Sequence, residues 1–335
     1  MSPAVPRDAA TVVVVRAAPA GGSLEVLLLQ RAERGDHNSG AWVFPGGLID
    51  PGDREYGDDA FRVAAIREAF EESGILFATD AKGDFVSLEG EPGAQLAALR
   101  HELKDGKCTL ADICQRFNLR LVPERLHFIG HWLTPAGRAK RFDTRFYLAI
   151  APQQQTAMHD AGETLDHVWI APAEALAPTN ARRLMTPTRA MLEAVRPFGD
   201  VKALGEWAAS PRTVEKVLPR LSMSASGMQP VLPGHPAYHE VGKLDPDGRS
   251  DVWSELRTGV PVAIGEHVQR ITGADGRNRY TVGSEEIDPA VTTRLVAEDR
   301  IVIARDAASV PAQLRAGADW LAPLEGFLQP LHAPT

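Results

Sequence analysis

The sequence predicts an α/β protein with a larger first domain and a smaller C-terminal α/β or β-rich unit. Two β-branched or leucine-rich runs, at residues 11–16 and 24–30, predict strands joined by a loop that contains Pro19 and two glycines. A helix is predicted from about residue 59 to residue 73, because Gly74 supplies a natural C-terminal cap. Strands that alternate with helices in this way favour the α/β class.

The rest of the first domain continues the same pattern. Residues 95–117 are polar and helical in character, which predicts an insertion between strands. Strand-like segments return at residues 126–133, 143–151 and 165–170. A helix is predicted from about residue 186 to residue 195, with Thr186 as its cap and Pro187 in its first turn.

The composition changes after Pro197. Residues 222–227 and 232–236 are loop-like, and residues 244–250 have the character of a linker. Further strands are predicted at residues 267–272, 279–282 and 300–303, with a helix near 311–316. We therefore expect a first domain at 1–200 with a helical insertion at about 85–120, an extension and linker at 201–245, and a small unit of unassigned role at 246–335.

Composition excludes several classes of protein. The 335 residues are 44% hydrophobic and 24% charged, as in globular proteins, and the net charge of −8 argues against a nucleic-acid-binding surface. No apolar stretch has the length that a membrane span or a signal peptide requires, so we expect a cytoplasmic protein. Cys108 and Cys114 are too few for a disulfide framework and are predicted to be reduced, buried thiols.

The chemistry lies in three glutamates of the predicted helix. At 100° per residue, Glu68, Glu71 and Glu72 fall within about a third of its circumference. Their mutual repulsion would be relieved by a cation, and hard oxygen ligands suit magnesium or manganese. Arg67 lies beside the cluster and can orient a carboxylate through charge-assisted hydrogen bonds. The apolar residues on the other side point towards a core: Val63, Ile66 and Phe70. The alternative is a solvated acidic helix face.

Residues 44–47 (Phe-Pro-Gly-Gly), the loop that follows them, and residues 67–75 together resemble the Nudix box, G-x5-E-x7-R-E-U-x-E-E-x-G-U with U an aliphatic residue. The resemblance implies an α/β/α sandwich with a mixed sheet and the box helix packed against it. It implies that the three glutamates bind a divalent metal, with the carbonyl of Gly46 as a further ligand. The resemblance also allows one of the glutamates to act instead as the base for the attacking water.

The sequence departs from the box in two respects. Counting back from Arg67, Asp59 occupies the position of the box's earlier glutamate. The loop from Gly47 to that position is six residues longer than the standard pattern, and a surface loop can absorb such length at little cost in closure entropy. The role of Asp59 therefore stays open.

A second resemblance covers roughly residues 10–240. Residues 28–31, His37, Gly40 and 44–47 resemble the extended signature of coenzyme A diphosphatases, while 65–72, 134–135 and 141–146 are more similar to their acyl-CoA-hydrolysing branch. This implies hydrolysis of the diphosphate of coenzyme A or an acyl-CoA to 3′,5′-ADP and (acyl-)4′-phosphopantetheine. Hydrolysis of ADP-ribose, a dinucleotide or another nucleoside diphosphate derivative is the alternative within the class.

Several residues outside the box are candidates for the site. The predicted substrate contacts are Arg31, His37, Arg141 and Arg145. Surface ion pairs are the alternative role for Arg141 and Arg145, and a loop hydrogen bond is the alternative for His37. Glu163 lies on a glycine-containing loop before a strand, from which a carboxylate could reach the metals or remain solvated.

Two further alternatives concern the class of protein and its partners. A non-catalytic, ligand-sensing Nudix-like regulator would lack the metal-binding carboxylates and carry a DNA-binding segment, and neither feature is visible. We therefore expect a Mg²⁺- or Mn²⁺-dependent enzyme whose partner is its nucleoside diphosphate substrate, with no nucleic-acid or membrane partner. The C-terminal unit is interpreted as an interaction or dimerisation unit, so a homodimer is an open alternative.

Overall fold

The computed structural model describes residues 4–260 apart from positions 20, 22, 33–38, 161, 236, 239–240, 243–244, 246, 251 and 255–257, and it describes strands between residues 261 and 304. The chain divides into two compact units. One contains residues 6–133 and 142–216. The other contains residues 4–5, 134–141 and the described residues from 217 onwards.

The first unit is α/β, as predicted. Its strands are β1 (Arg7–Ala17), β2 (Leu24–Arg31), β3 (Trp42–Val43), β4 (Gly46–Leu48), β5 (Ala78–Thr79), β6 (Arg120–Leu121), β7 (His127–Leu133), β8 (Phe142–Ile150), β9 (Thr164–Ile170) and β10 (Lys216–Val217). Its helices are α1 (Pro51–Arg54), α2 (Ala60–Ser73), α3 (Gly90–Lys104), α4 (Leu110–Phe117), α5 (Pro172–Ala175), α6 (Thr186–Val195) and α7 (Val201–Ala209). Single 3₁₀ turns lie at Gly57–Asp59 and Pro123–Arg125.

One mixed sheet organises this unit. Its strands run in the order β10-β7-β8-β1-β2-β3, with β4 paired to β1 and β9 paired to β2. The pair β1–β8 is parallel, whereas β1–β2, β1–β4, β2–β9 and β7–β8 are antiparallel. One edge of β1 pairs with β8. The other edge is divided between two strands, because β4 pairs with residues 9–11 and β2 with residues 15–17. This division lets the short strand β4 lie beside helix α2.

The two faces of the sheet carry different helices. Side chains alternate along a strand, and on β8 Tyr147 and Ala149 belong to the core cluster that also contains residues of α2, α3 and α4. On the opposite face, Phe146 lies beside Gly130 and Met191 of α6, while Ile150 lies beside α7. The result is the α/β/α sandwich that the resemblance to the Nudix box implied, with a helical insertion formed by α3 and α4.

Most predicted elements of this unit are confirmed within one to four residues of their bounds. Gly74 has φ 74°, and its N–H bonds to the carbonyl of Phe70, so it ends α2 as predicted. The cap of α6 was misplaced: Met185 takes the N-cap position, and both Thr186 and Pro187 lie inside the first turn. Cys108 and Cys114 are free thiols, but they are half-buried rather than buried.

The second unit is rich in β-structure. Its strands are β11 (Arg220–Ser224), β12 (Gly227–Val231), β13 (Pro261–Ala263), β14 (Val268–Thr272), β15 (Asn278–Val282), β16 (Glu285–Ile287), β17 (Thr293–Ala297) and β18 (Arg300–Ala304). Strands β13 to β16 form an antiparallel sheet, and β17 pairs with β18. The prediction of a loop at 222–227 was wrong, since β11 and β12 form a hairpin there. The helix predicted near 311–316 lies outside the described residues.

Among the described residues, no helix combines the length and apolar character needed to cross a membrane.

Candidate active site

Helix α2 carries the glutamates between the sheet and the insertion helices. Val63, Ile66 and Phe70 are almost fully buried in the core, as their spacing predicted. Glu68 and Glu72 are buried as well, and Glu71 is half-buried. A solvated acidic helix face would expose its carboxylates to water. Glu68 and Glu72 are buried instead, and a buried carboxylate is costly to ionise without a compensating positive charge.

Arg67 is the centre of a buried hydrogen-bond network. Its Nη2 donates to the carbonyl of Leu48 at 2.7 Å and to Asp53 at 2.9 Å. Its Nη1 donates to Glu68 at 2.9 Å and to Glu71 at 3.3 Å. Burial alone would lower the pKa of Arg67, but the hydrogen bond that it donates to Asp53 and the charges of the neighbouring carboxylates raise it. The guanidinium therefore stays charged and holds two of the three glutamates in place.

The third glutamate is held by the strand instead. The Gly46 N–H donates to Oε2 of Glu72 at 3.0 Å. At Gly47 a Cβ atom would overlap the carboxylate of Glu68, so only glycine allows β4 to approach α2 this closely. The two glycines thus bring the backbone of β4 directly against the carboxylates of Glu68 and Glu72.

The carboxylates are short of positive charge. Burial raises the pKa of Glu68 to about 7, although Arg67 opposes the shift. Burial, together with the charge of Glu68, raises the pKa of Glu72 to about 8. Burial also raises the pKa of Glu71, again against the effect of Arg67.

A count of charges shows what this group of residues can hold. Asp53 and the three glutamates supply four carboxylates, whereas Arg67 donates to three of them and Arg100 and Arg31 lie near the others. Asp50 and Glu163 add negative charge at the same place, so the carboxylates outnumber the cations. A divalent cation would offset this excess, and oxygen ligands of this kind suit Mg²⁺ or Mn²⁺. The residues present therefore fit the metal that the box implies.

Asp53 is a functional candidate that counting back from Arg67 missed. It is 3% exposed, and its carboxylate accepts hydrogen bonds from Arg67 and from the N–H of Asp50. Asp59 instead lies at the surface and pairs with Arg62 at 3.0 Å. With five residues after Gly47, as in the box, the next position is Asp53, so the six additional residues lie after this position rather than before it.

Glu163 and Arg31 lie near the same carboxylates. Both are close enough to Glu72 to affect its pKa, which Arg31 lowers and Glu163 raises. They meet because the carbonyl of Glu163 accepts a hydrogen bond from the N–H of Ala32 at 2.8 Å, at the point where β2 and β9 end their pairing. The structure thus brings these two predicted residues to the glutamate cluster.

Arg100, on insertion helix α3, was not anticipated from the sequence. It is 5% exposed, and its Nε donates to the carbonyl of Glu71 at 2.9 Å. Burial lowers the pKa of Arg100 to about 10, while Glu72 and Glu71 oppose this shift. A polar helix with no motif gave no signal that one of its arginines would be buried behind the glutamates.

The remaining predicted contacts lie elsewhere. The guanidinium of Arg145 stacks on the ring of Phe61 at 3.7 Å, in a cleft of about 270 Å³ that Arg54 and Gly57 also line. The side chain of Arg141 donates to the main-chain carbonyls of residues 4 and 134, both at 3.0 Å, which is a structural role. His37 lies outside the described residues.

Fold and site together define a class of protein, namely α/β/α enzymes with a divalent-cation site. The carboxylates of that site lie on one helix and face a glycine-containing strand.

Comparison with known proteins agrees with this class. The family profiles "NUDT19 Nudix domain" and "NUDIX domain" match residues 56–196 and 5–100. "Acyl-coenzyme A diphosphatase NUDT19" of Gallus gallus is 29% identical, over 72% of this chain and 81% of its own length. The protein of the same name from Homo sapiens is 27% identical, over 67% of this chain and 75% of its own length. A Nudix hydrolase structure from Alicyclobacillus acidocaldarius superimposes with a TM-score of 0.53 at 27% identity, covering 60% of this chain and 96% of that one.

The chain belongs to the Nudix hydrolase family. It is an enzyme, which sets aside the alternative of a non-catalytic regulator.

Proposed function

We propose that this protein hydrolyses the diphosphate of coenzyme A or an acyl-CoA, giving 3′,5′-ADP and (acyl-)4′-phosphopantetheine. The observation that carries the proposal is the similarity to proteins named acyl-coenzyme A diphosphatase, which extends over about 70% of the chain. The buried carboxylate cluster supports it, because a diphosphate is a polyanion that these residues can bind only through a cation.

The residues have separate roles in this proposal. Glu68, Glu71, Glu72 and the carbonyl of Gly46 hold Mg²⁺ or Mn²⁺, and Arg67 keeps two of these carboxylates aimed at one place. When bound, the metal supplies neutralisation of charge on the diphosphate and lowers the pKa of the attacking water. Asp53 is a positioning residue, since it contacts Arg67 rather than the reacting groups.

The proton of the attacking water needs an acceptor close to the cluster. Glu72 and Glu163 are the two candidates. Glu72 belongs to the cluster, and Glu163 lies close enough to it to raise the pKa of Glu72. Glu163 is on a loop and not on the helix, so its side chain can adjust to a bound substrate. Arg31 adds a cation at the same place and is proposed to contact the diphosphate.

The cleft at Arg145 is proposed to bind the 3′-phosphate of coenzyme A. It is built by the additional residues of the box loop and by Phe61 at the start of α2. Glu68 follows Phe61 by seven residues, so the glutamates begin about 10 Å further along the helix axis. A nucleotide can span that distance, with its 3′-phosphate on Arg145 and its diphosphate at the cluster. Arg54 pairs with Asp8 at the surface, where such a pair contributes little stability, and we propose that Arg54 leaves it to add a second contact. Asp58 also lines the cleft, so both arginines are needed to make the site attractive to an anion.

Steady-state kinetics with Mg²⁺ on four substrates test the proposal: coenzyme A, dephospho-coenzyme A, an acyl-CoA and ADP-ribose. We expect kcat/KM to be highest for a CoA compound. Loss of the 3′-phosphate should lower kcat/KM by about 10- to 150-fold, the equivalent of one charge-assisted hydrogen bond of roughly 1.5–3 kcal/mol. A higher kcat/KM for ADP-ribose than for every CoA compound would overturn the substrate while leaving the family intact.

A matched pair of variants tests the cleft. In Arg145→Gln the preference for coenzyme A over its dephospho form should disappear. Arg212→Gln is the control, because Arg212 also stacks on an aromatic ring, that of Trp207 at 3.8 Å, but on helix α7. If both variants retain the wild-type preference, Arg145 does not bind the 3′-phosphate.

A further inference from the structure

We propose that His159, His167 and Asp166 form a second metal site, which takes a borderline transition ion of the Zn²⁺ class and is separate from the oxygen site on α2. This inference goes beyond the proposed function and does not depend on the substrate. Among the described residues, these three are the set of His, Cys, Asp and Glu side chains whose ligand atoms all lie within 4.8 Å of one another.

The two imidazoles face each other through the same atom. Nδ1 of His159 and Nδ1 of His167 are 3.0 Å apart. Two nitrogens bound to one tetrahedral Zn²⁺ at about 2.0–2.1 Å lie about 3.3 Å apart, so a small rotation of either ring makes room for the ion. The carboxylate of Asp166 is exposed and supplies the third ligand, leaving positions for water.

The backbone fixes both histidines before any ion binds. The residue before His159, Met158, donates its N–H to the carbonyl of Ser73 at the end of α2. His167 lies on β9 opposite Leu29 of β2. Asp160 closes the loop between them, because its carboxylate accepts from the N–H and the hydroxyl of Thr164 and from Lys104 of α3. A pre-formed pair of ligands binds an ion at a lower entropic cost.

The surroundings of His167 also suit a metal. Burial lowers the pKa of His167, and its neighbours His159 and Arg100 lower it further, against the effect of Asp166. The neutral imidazole is the form that binds an ion, so this shift favours binding by His167. Imidazole nitrogens select Zn²⁺, Cu²⁺ or Ni²⁺, whereas the carboxylates of α2 select Mg²⁺ or Mn²⁺, so the two sites differ in the ions that they prefer.

The site would act on the loop that carries Glu163. His159 precedes this loop, and Asp166 and His167 follow it, so one ion would join both of its ends. Without that link, the described contacts that hold the loop include the bond of Asp160 to Lys104 and the bond of the Ala32 N–H to the carbonyl of Glu163.

The test is calorimetric titration of Zn²⁺ into the full-length, untagged protein in excess Mg²⁺, which keeps the carboxylate site filled. We expect one Zn²⁺ per chain in the wild type. His159→Asn and His167→Asn should each weaken Zn²⁺ binding by more than about 10- to 100-fold. Asparagine keeps a hydrogen-bonding group near the position of Nδ1, so that folding can be preserved, and circular dichroism checks this. His131→Asn is the control, since His131 pairs with Asp143 and belongs to no cluster of metal-ligand side chains among the described residues.

A second measurement uses Co²⁺, whose visible absorption bands report nitrogen ligands directly. The bands and a Zn²⁺-induced rise in Tm should appear in the wild type and in His131→Asn, and should be absent from both site variants. If the wild type binds no Zn²⁺ in excess Mg²⁺, or if the site variants bind it as tightly as the wild type, the proposal is overturned and the two histidines form only a hydrogen bond.

Discussion

Asp53 and Arg67 illustrate how one buried ion pair decides which neighbouring carboxylates are available to a metal. The guanidinium of Arg67 donates hydrogen bonds to Asp53. It also donates to the carbonyl of Leu48 and to the carboxylates of Glu68 and Glu71. Because Asp53, Glu68 and Glu71 share the single positive charge of Arg67, the glutamates are oriented by this arginine without being fully compensated. The box helix can therefore be both ordered and attractive to a cation.

Glu72→Gln tests the glutamates as metal ligands. Glutamine keeps the shape and can still accept the hydrogen bond from Gly46 but lacks the charge, so turnover should fall by orders of magnitude. The fold should persist, because the variant removes a buried charge rather than a contact. Glu193→Gln, which alters only an exposed pair with Arg196, should leave turnover unchanged. Near-normal activity of Glu72→Gln at saturating Mg²⁺ would contradict the assignment.

Asp53→Asn and Asp59→Asn form a matched pair that tests where the box carboxylate lies. Asparagine at 53 weakens the charge-assisted bonds to Arg67, so we expect a loss of roughly 1.5–3 kcal/mol in the free energy of unfolding and a fall in kcat. The exposed pair of Asp59 with Arg62 contributes at most about 1 kcal/mol, so Asp59→Asn should be nearly neutral. Denaturant unfolding and kinetics on both variants give the comparison, and equal effects would contradict it.

At the scale of elements, the geometry of the site depends on how closely strand β4 approaches helix α2. The strand is only three residues long and is paired with β1, so its position is set by the sheet. The helix is set by its own apolar residues. The close approach at Gly47 is a consequence of both, and the box glycines are needed because there is no space for a side chain.

Gly47→Ala tests this approach. A methyl group there would displace the carboxylate of Glu68, so we expect turnover to fall more than tenfold and stability to fall by about 1–3 kcal/mol. Gly52→Ala is the control, because a Cβ at Gly52 in α1 meets nothing within 4 Å. That variant should be active and slightly more stable. Thermal unfolding and kinetics measure both, and a fully active Gly47→Ala would show that the approach is not required.

The same scale shows what could be predicted from the sequence. Helix α2 and strands β1, β2, β7, β8 and β9 were predictable, because apolar periodicity and a terminal glycine are local signals. The position of the six additional residues in the box loop was not predictable. Counting from one end of the motif cannot show whether they lie before or after the box carboxylate. The hairpin β11–β12 was missed because its serines and glycine are equally typical of a loop. The burial of Arg100 depends on how α3 packs, which no local pattern contains.

At the scale of the whole molecule, the net charge of −8 and the buried carboxylates raise the same electrostatic problem. In the proposed function the protein binds a polyanion although it is itself an anion, so we expect a cation to mediate the contact. Metal binding, protonation of the buried carboxylates and folding are therefore linked. A group whose pKa is raised in the folded state stabilises the fold while it is protonated, and that stability is lost as the pH rises through the folded pKa.

Glu68 and Glu72 determine the direction of this linkage. In the metal-free protein, burial raises their pKa values to about 7 and about 8 from an ordinary value of 4.5. Between pH 4.5 and 8 the folded state then holds more protons than the unfolded state, so raising the pH through this window destabilises the protein. A bound divalent cation replaces these protons, so its stabilising effect should be largest above pH 8.

Thermal unfolding at pH 6 and pH 8.5, with EDTA or with saturating Mg²⁺, tests this linkage. We expect the metal-free Tm to fall between the two pH values, and Mg²⁺ to raise Tm more at pH 8.5 than at pH 6. Other groups also titrate in this window, so the informative quantity is the comparison with Glu72→Gln, in which the pH-dependent fall should be smaller because the variant lacks one of the two groups. Glu193→Gln should behave like the wild type, since its side chain is exposed. An identical fall in wild type and Glu72→Gln would show that Glu72 is not protonated in the folded, metal-free state.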